Sequence, residues 1–197
     1  MEASKVSFAD ISFRAFQQTK GVKTSAASWR GAPVEFLLSA EDFFHAPFGC
    51  SAYEKPEATR LNLEVEITNS PLLQILQEAE QAIMKKAHAD GVLEGTFEDA
   101  VKNFKSSICF SEKYSQYRFR SKINIAGLRA CRVFEFPEKK RVEYKDVELR
   151  GAAVRPHICL KGLWKQGSQW GIQYECLNLL VRPPSEAPNP FLSPEEA

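Results

Sequence analysis

Alternation of apolar and polar residues, typical of a β-strand with one buried face, is the commonest pattern along this chain. It is strictest over residues 60–67, where four apolar side chains share one face: Leu61, Leu63, Val65 and Ile67. Glu64 and Glu66 fall on the opposite face, which we expect to be solvated. Shorter runs over residues 5–16 and 33–39 predict two further strands, the first of them interrupted near Asp10.

The period changes to that of an α-helix between residues 70 and 106. Apolar residues recur at helical spacing over residues 72–87, Asn69 or Ser70 can cap the helix, and Pro71 suits its first position. Thr96 can cap a second, shorter helix, whose apolar side is formed by Phe97, Val101 and Phe104. The sequence therefore predicts a helical insertion over about residues 70–106.

Strand-like alternation returns at residue 108 and continues to about residue 182. Strands, then helices, then more strands are typical of a β-rich α+β domain with a small barrel or a sandwich as its core. We predict a single domain over residues 1–182. Residues 183–197 are rich in proline and acidic residues around one apolar pair, Phe191 and Leu192, and are predicted to form a flexible tail.

Composition narrows the function. The chain has 197 residues, 44% of them hydrophobic, which is enough for a sizeable core. No apolar run approaches the roughly 18 residues of a membrane span, and the N-terminus lacks a secretory pattern, so we expect an intracellular protein. The five cysteines and three histidines show no ligand or nucleophile spacing, and phosphate-loop, nucleophile-elbow and zinc-protease motifs are absent. The sequence favours a non-catalytic protein with no metal or other cofactor.

The net charge of +1 conceals a strong asymmetry along the chain. Residues 1–100 carry 9 Lys and Arg against 15 Asp and Glu, residues 101–182 carry 17 against 7, and residues 183–197 carry none against 3. A strongly basic segment inside a neutral chain indicates a polyanionic partner such as nucleic acid. The alternative is that folding mixes the two halves into an even surface.

Two parts of the basic segment concentrate its cations. On the strand predicted near residue 118, alternation places Tyr117 on one face and a row of three cations on the other: Arg118, Arg120 and Lys122. A charged turn adds a second cluster at a predicted loop tip: Lys139, Lys140 and Arg141. Both clusters suit contact with phosphates, although lysines that serve only solubility explain the turn equally well.

Two tryptophans flank a glycine-containing turn within residues 161–181. Trp164 ends one predicted strand beside Lys161 and Lys165, whereas Trp170 and Tyr174 share one side of the return strand. Gly171, between them, leaves room for a flat group to approach. Rings edged by cations suit single-stranded nucleic acid, because bases stack on aromatic side chains for roughly 1 to 3 kcal/mol each while cations follow the backbone. The alternative is that both indoles fill the core.

Three segments together resemble the single-stranded-DNA-binding-like OB-fold proteins of large eukaryotic DNA viruses. Residues 149–181 match in a strand ending in Leu-Trp, a polar turn, an aromatic-glycine pair and a final apolar strand. Residues 36–67 match as an apolar strand, a Pro-Phe-Gly loop and a second strand, and residues 69–87 match as the central helix. Within this pattern Gly151 precedes the strand, Trp164 closes it and Gly171 follows the turn.

The resemblance implies an OB-fold-like antiparallel barrel that carries the helical insertion. It also implies binding of single-stranded DNA without strong sequence preference, in replication, recombination or repair, in the nucleus or at a viral replication site of the host cell. An acidic tail would then compete with DNA or recruit replication proteins, unless it is a plain linker. A structural or protein-interaction module and a single-stranded RNA binder are the alternatives for the same barrel.

Overall fold

The computed structural model describes residues 8–19, 21–36, 38–39, 41–51 and 58–184. The predicted tail beyond Pro184 and the start of the N-terminal strand lie outside the described residues. The helices are α1 (Pro71–Ala89) and α2 (Phe97–Asn103). The strands described are β1 (Ile11–Phe13), β2 (Gln17–Thr19), β3 (Val22–Trp29), β4 (Val34–Phe36), β5 (Phe44–Ala46), β6 (Cys50–Ser51), β7 (Arg60–Glu66), β8 (Phe104–Lys105), β9 (Ile108–Ser111), β10 (Gln116–Asn124), β11 (Arg132–Glu135), β12 (Lys140–Val142), β13 (Ala152–Gln166) and β14 (Gln169–Arg182).

Two long antiparallel strands, β13 and β14, organise the sheet. The free edge of β13 pairs in turn with β5, β4 and β3, all antiparallel. The free edge of β14 pairs in turn with β8, β10 and β11, all parallel, and β10 continues to β7 and β6. The predicted β-rich α+β fold with a helical insertion is confirmed. The sheet is mixed rather than wholly antiparallel, because β14 takes its second set of partners in parallel.

Two register shifts bend β13, one between His157 and Ile158 and one between Leu160 and Gly162. At the second shift β3 crosses so close to β13 that a Cβ built on Gly162 would overlap the carbonyl oxygen of Ser25 and lie 2.9 Å from the amide nitrogen of Ala27. Gly162 also has a φ of +139°, a backbone conformation that residues other than glycine rarely adopt. The glycine therefore allows β3 to pair with β13.

The core lies between the inner face of the sheet and α1. The ring of Tyr174 meets Phe119 and Phe36 edge to face, with centroids 5.2 and 6.0 Å apart, and all three side chains are fully buried. One face of α1 joins the same core through the residues Leu72, Leu76, Ala79, Ile83, Met84 and Ala87. The spacing of apolar residues in the sequence thus predicts correctly which face of α1 is buried in the core.

Both helices begin where the sequence predicts. The Leu72 N–H donates to Ser70 Oγ at 3.1 Å, which makes Ser70 the cap of α1. Thr96 and Asp99 form a reciprocal capping box at α2. The apolar side of α2 differs from expectation, since Val101 is half-exposed and only Ala100 of this helix is buried. Among the described residues, no helix combines the length and apolar character needed to cross a bilayer.

Candidate nucleic-acid interface

A groove of about 960 Å³ opens over β3, β13, β14, β10 and β7 and is also lined by residues 104–108. A neighbouring groove of about 610 Å³ shares Thr24, Arg60 and Gln173 with the first. The two form one channel, which we call the basic groove. It extends from Trp164 at one end to the turn that carries Leu128 at the other.

Six cationic side chains line the basic groove: Arg60, Lys105, Arg120, Lys122, Arg129 and Lys161. Of the described lining residues, the acidic one is Glu175, whose Oε2 lies 3.8 Å from Arg60 Nη2. This excess of positive charge in a concave surface attracts polyanions and concentrates them there.

The cations are crowded at the centre of the basic groove. Burial, together with Arg60 and Arg120 nearby, lowers the pKa of Lys122. The ammonium donates to Asn62 Oδ1 at 2.7 Å, a neutral acceptor that leaves its charge in place. An anion bound here would relieve the repulsion, so the site is electrostatically poised for a phosphate.

Glu64 orders two of the predicted cations. Arg118 Nη1 donates to Glu64 Oε2 at 3.0 Å, and Arg120 Nε donates to Glu64 Oε1 at 2.9 Å. The carboxylate is only 8% exposed, so the expectation that Glu64 lies on a solvated face is wrong: β7 is covered on both sides. The row Arg118, Arg120 and Lys122 does share one face of β10, but one carboxylate offsets part of its charge.

Trp164 is the principal ring of the basic groove. It lies opposite Gly171 in the β13–β14 pairing, and a Cβ on Gly171 would be 2.8 Å from its Cε2 and Nε1. The same Cβ would be 2.6 Å from the carbonyl oxygen of Lys105. The flat group for which Gly171 leaves room is thus the indole of Trp164 itself. That indole remains partly exposed, as stacking on a base requires.

Glu80 of α1 fixes the part of the groove that carries Lys105. Ser106 Oγ donates to Glu80 Oε2 at 2.6 Å, and the Ser107 N–H donates to Glu80 Oε1 at 2.9 Å. Ser107 Oγ in turn donates to the carbonyl oxygen of Ile172 at 3.0 Å. Burial raises the pKa of Glu80, and the two hydrogen bonds oppose this shift.

We expect the free energy of unfolding to fall as pH rises through the titration of Glu80. Because its pKa in the folded state lies above the ordinary value of 4.5, the stabilisation is complete below that value and is lost as pH rises through the folded-state pKa. In Glu80→Gln the free energy of unfolding should depend less on pH in this range, as measured by denaturant unfolding between about pH 4 and 8. Glu78→Gln, at an exposed position of the same helix, should leave this pH dependence unchanged. If the free energy of unfolding depended on pH equally in wild type and Glu80→Gln, the pH dependence would not be due to Glu80.

Two rings predicted to contact nucleic acid lie in the core instead. Trp170 is 3% exposed, and its Nε1 donates to the carbonyl oxygen of Ala100 at 2.7 Å. Tyr174 is 1% exposed among the core rings. The prediction that these rings stack on bases is wrong: alternation correctly put them on one side of β14, but that side faces inward. The alternative that an indole fills the core holds for Trp170 and not for Trp164.

Five of the predicted site residues belong to the lining of the basic groove: Arg120, Lys122, Lys161, Trp164 and Tyr174, the last of them almost completely buried. Six others lie outside the described lining of this groove: Tyr117, Arg118, Lys139, Lys140, Arg141 and Lys165. Tyr117 packs against Phe110 with ring centroids 4.8 Å apart, and the guanidinium of Arg118 lies 5.0 Å from the ring centroid of Phe48. Lys165 Nζ is 3.0 Å from Glu94 Oε2.

Sequence reasoning missed three groove cations, Arg60, Lys105 and Arg129, and the fully exposed Leu128 beside them. Arg60 pairs with Asn124 of β10, and Lys105 pairs with Gly171 of β14. Each stands alone in its own segment, so only strand pairing brings these cations together.

The fold is similar to that of OB-fold single-stranded DNA-binding proteins. The single-stranded DNA-binding protein from bacteriophage Enc34, in complex with ssDNA, matches with a TM-score of 0.51 at 12% identity, over 90% of this chain and 98% of that chain. The same phage protein in a second structure matches with a TM-score of 0.50 at 13% identity, over 92% and 96%. The single-stranded DNA-binding protein encoded by bacteriophage T7 scores 0.46 at 14% identity, over 77% and 92%. No protein-family model matches the sequence, and no curated protein is significantly similar to it.

Proposed function

We propose that this chain is a non-catalytic single-stranded DNA-binding protein that binds in the basic groove without strong sequence preference. The observation that carries the proposal is the meeting of six cations and a partly exposed indole in one continuous channel. The cations would hold the phosphates, which every sequence shares, and Trp164 would stack on a base of any identity. A protein of similar fold, from phage Enc34, has been solved in complex with ssDNA, which supports this proposal.

The proposed setting is DNA replication, recombination or repair, in the nucleus or at a viral replication site. The resemblance of residues 36–67, 69–87 and 149–181 to proteins of large eukaryotic DNA viruses supports this setting. We further propose that the acidic segment after residue 184 recruits replication proteins or competes with DNA.

Titration with oligo(dT) while tryptophan fluorescence is followed tests the function. We expect quenching at low salt that high salt reverses. Fluorescence anisotropy of a labelled strand, which does not depend on the indole, should give an affinity about 10-fold lower in Trp164→Ala because the stacking of one base is removed. Trp29→Phe, which changes a ring outside the described lining of the basic groove, should bind as wild type.

Two outcomes would redirect the assignment. Unchanged fluorescence and no binding with any nucleic acid would favour a structural or protein-interaction module. Tighter binding of an RNA oligomer than of its DNA counterpart would favour an RNA binder, since 2′-hydroxyls are read by local contacts.

A further inference from the structure

The outer face of β13 and β14 continues beyond the basic groove. Directly opposite residues of paired strands share a face, so the register orders this face in successive rows. From the groove outward the rows are Trp164 with Gly171, Gly162 with Gln173, Cys159 with Glu175, His157 with Asn178, and Arg155 with Leu180. The buried residues Ile172, Tyr174, Cys176, Leu179 and Val181 of β14 face the other way. Each of the first three rows contributes at least one residue to the lining of the basic groove, and the last two rows line a separate cleft of about 500 Å³.

This cleft combines an apolar floor with a cationic rim. Phe134 of β11 pairs with both Leu180 and Arg141, so four neighbouring strands contribute one row: Arg141, Phe134, Leu180 and Arg155. Lys139, exposed in the turn before β12, lines the same cleft. Beyond it, the guanidinium of Arg182 lies 4.4 Å from the ring centroid of Phe43. The arrangement repeats that of the basic groove, with a ring and several cations on one face.

A hydrogen-bonded network lies at the end of the cleft that is nearer to the basic groove. Arg132 Nε donates to Asn178 Oδ1 at 2.7 Å, and Asn178 Nδ2 lies 2.7 Å from His157 Nδ1. His157 Nε2 lies 2.9 Å from Glu35 Oε2, the acidic group of this part of the face. The network holds Arg132 in the row of Asn178, so one further cation lies between the row of Glu175 in the groove and the row of Leu180 in the cleft.

We propose that a single strand bound in the basic groove continues onto this cleft, where Lys139, Arg141 and Arg155 hold further phosphates and Phe134 offers a face for stacking. The proposal rests on the proposed function. A cationic cleft with an apolar floor also suits an acidic peptide. Continuity with the groove favours the nucleic acid, because a strand already bound there presents its next nucleotides to the cleft at high effective concentration.

The length of the face sets the number of nucleotides. From the row of Gly171 to the row of Leu180 the pairing of β13 with β14 advances by eight steps, since each strand has one unpaired residue, and this is about 26 Å at roughly 3.3 Å per residue. At the compact rise of about 3.4 Å per nucleotide in one B-form strand, about eight nucleotides fit this length, and fewer of an extended strand. The groove rows alone, from Gly171 to Glu175, cover about 13 Å and hold about four nucleotides. Affinity should therefore rise steeply between a 4-nucleotide and a 12-nucleotide strand.

The test compares two strand lengths on the full chain. In the double variant Lys139→Asn with Arg141→Ala, we expect binding of a 12-nucleotide oligo(dT) to weaken about 10-fold. The slope of log affinity against log salt should fall by about 1.4, which is about 0.7 for each phosphate that is no longer neutralised. Binding of a 4-nucleotide oligo(dT) should stay within about twofold of wild type. Asparagine is chosen because residue 139 has a φ of +56°, which asparagine tolerates.

Lys140→Ala is the matched control. Lys140 lies between the two substituted residues, but it pairs with Glu135 and so faces the opposite side of the sheet. Unchanged 12-nucleotide binding in the double variant, or an equal loss in Lys140→Ala, would overturn the proposal that the strand continues onto the cleft. An equal loss for both strand lengths would also overturn it, since the cations would then act only through the general field. Failure of the wild-type chain to bind either strand would instead refute the proposed function itself.

Discussion

Replacing Lys105, Arg129 and Lys161 together by glutamate is expected to weaken binding of oligo(dT) by at least about 100-fold near 50 mM salt. These side chains line both halves of the basic groove, and each substitution removes a phosphate partner and adds a repelling charge. The slope of log affinity against log salt should fall by about 2, because three phosphates, at about 0.7 each, are no longer neutralised. Fluorescence anisotropy of a labelled strand at several salt concentrations measures both quantities.

The matched control changes the net charge equally at a distance from the groove. Lys85 on α1, Lys102 on α2 and Lys113 before β10 are exposed and lie outside its described lining. Their joint replacement by glutamate should weaken binding far less, through the long-range field alone. If both triple variants lost affinity equally, net charge rather than the groove would govern binding.

Gly162→Ala is expected to lower the free energy of unfolding by about 3 to 5 kcal/mol, near the upper limit for a single substitution. The new Cβ would overlap the carbonyl of Ser25, and backbone cannot rotate away as a flexible side chain can. Relief requires β3 to move from β13, which breaks the pairs that Gly162 and Leu163 make with Ala26 and Ser25. Denaturant unfolding followed by circular dichroism measures the loss.

Gly167→Ala separates this overlap from the cost of a positive φ. Gly167 has a φ of +58° but open space around its Cα, so alanine should cost only about 1 to 2 kcal/mol there. Similar losses at both positions would show that backbone conformation, and not the approach of β3, makes Gly162 necessary.

The sequence predicted the elements that depend on local interactions. The spacing of apolar residues and the Ser70 cap give α1 to within a residue or two, and Thr96 marks the start of α2. Alternation gives β7, β10 and β14 and the residues that share each face. The same alternation did not show which face of a strand is covered. It predicted that Glu64 and Trp170 are exposed to solvent, and both are buried.

The sequence by itself determined the β-rich class, the helical insertion and the basic character of residues 101–182, because periodicity and charge are properties of neighbouring residues. Only the tertiary structure decided which cations meet, since Arg60, Lys105, Lys122 and Arg129 come from separate segments that strand pairing assembles. It also decided the fate of the two tryptophans, because an indole is core or surface according to what packs against its strand. Trp170 meets Phe104 and α2, whereas Trp164 lies over Gly171 at the end of the basic groove.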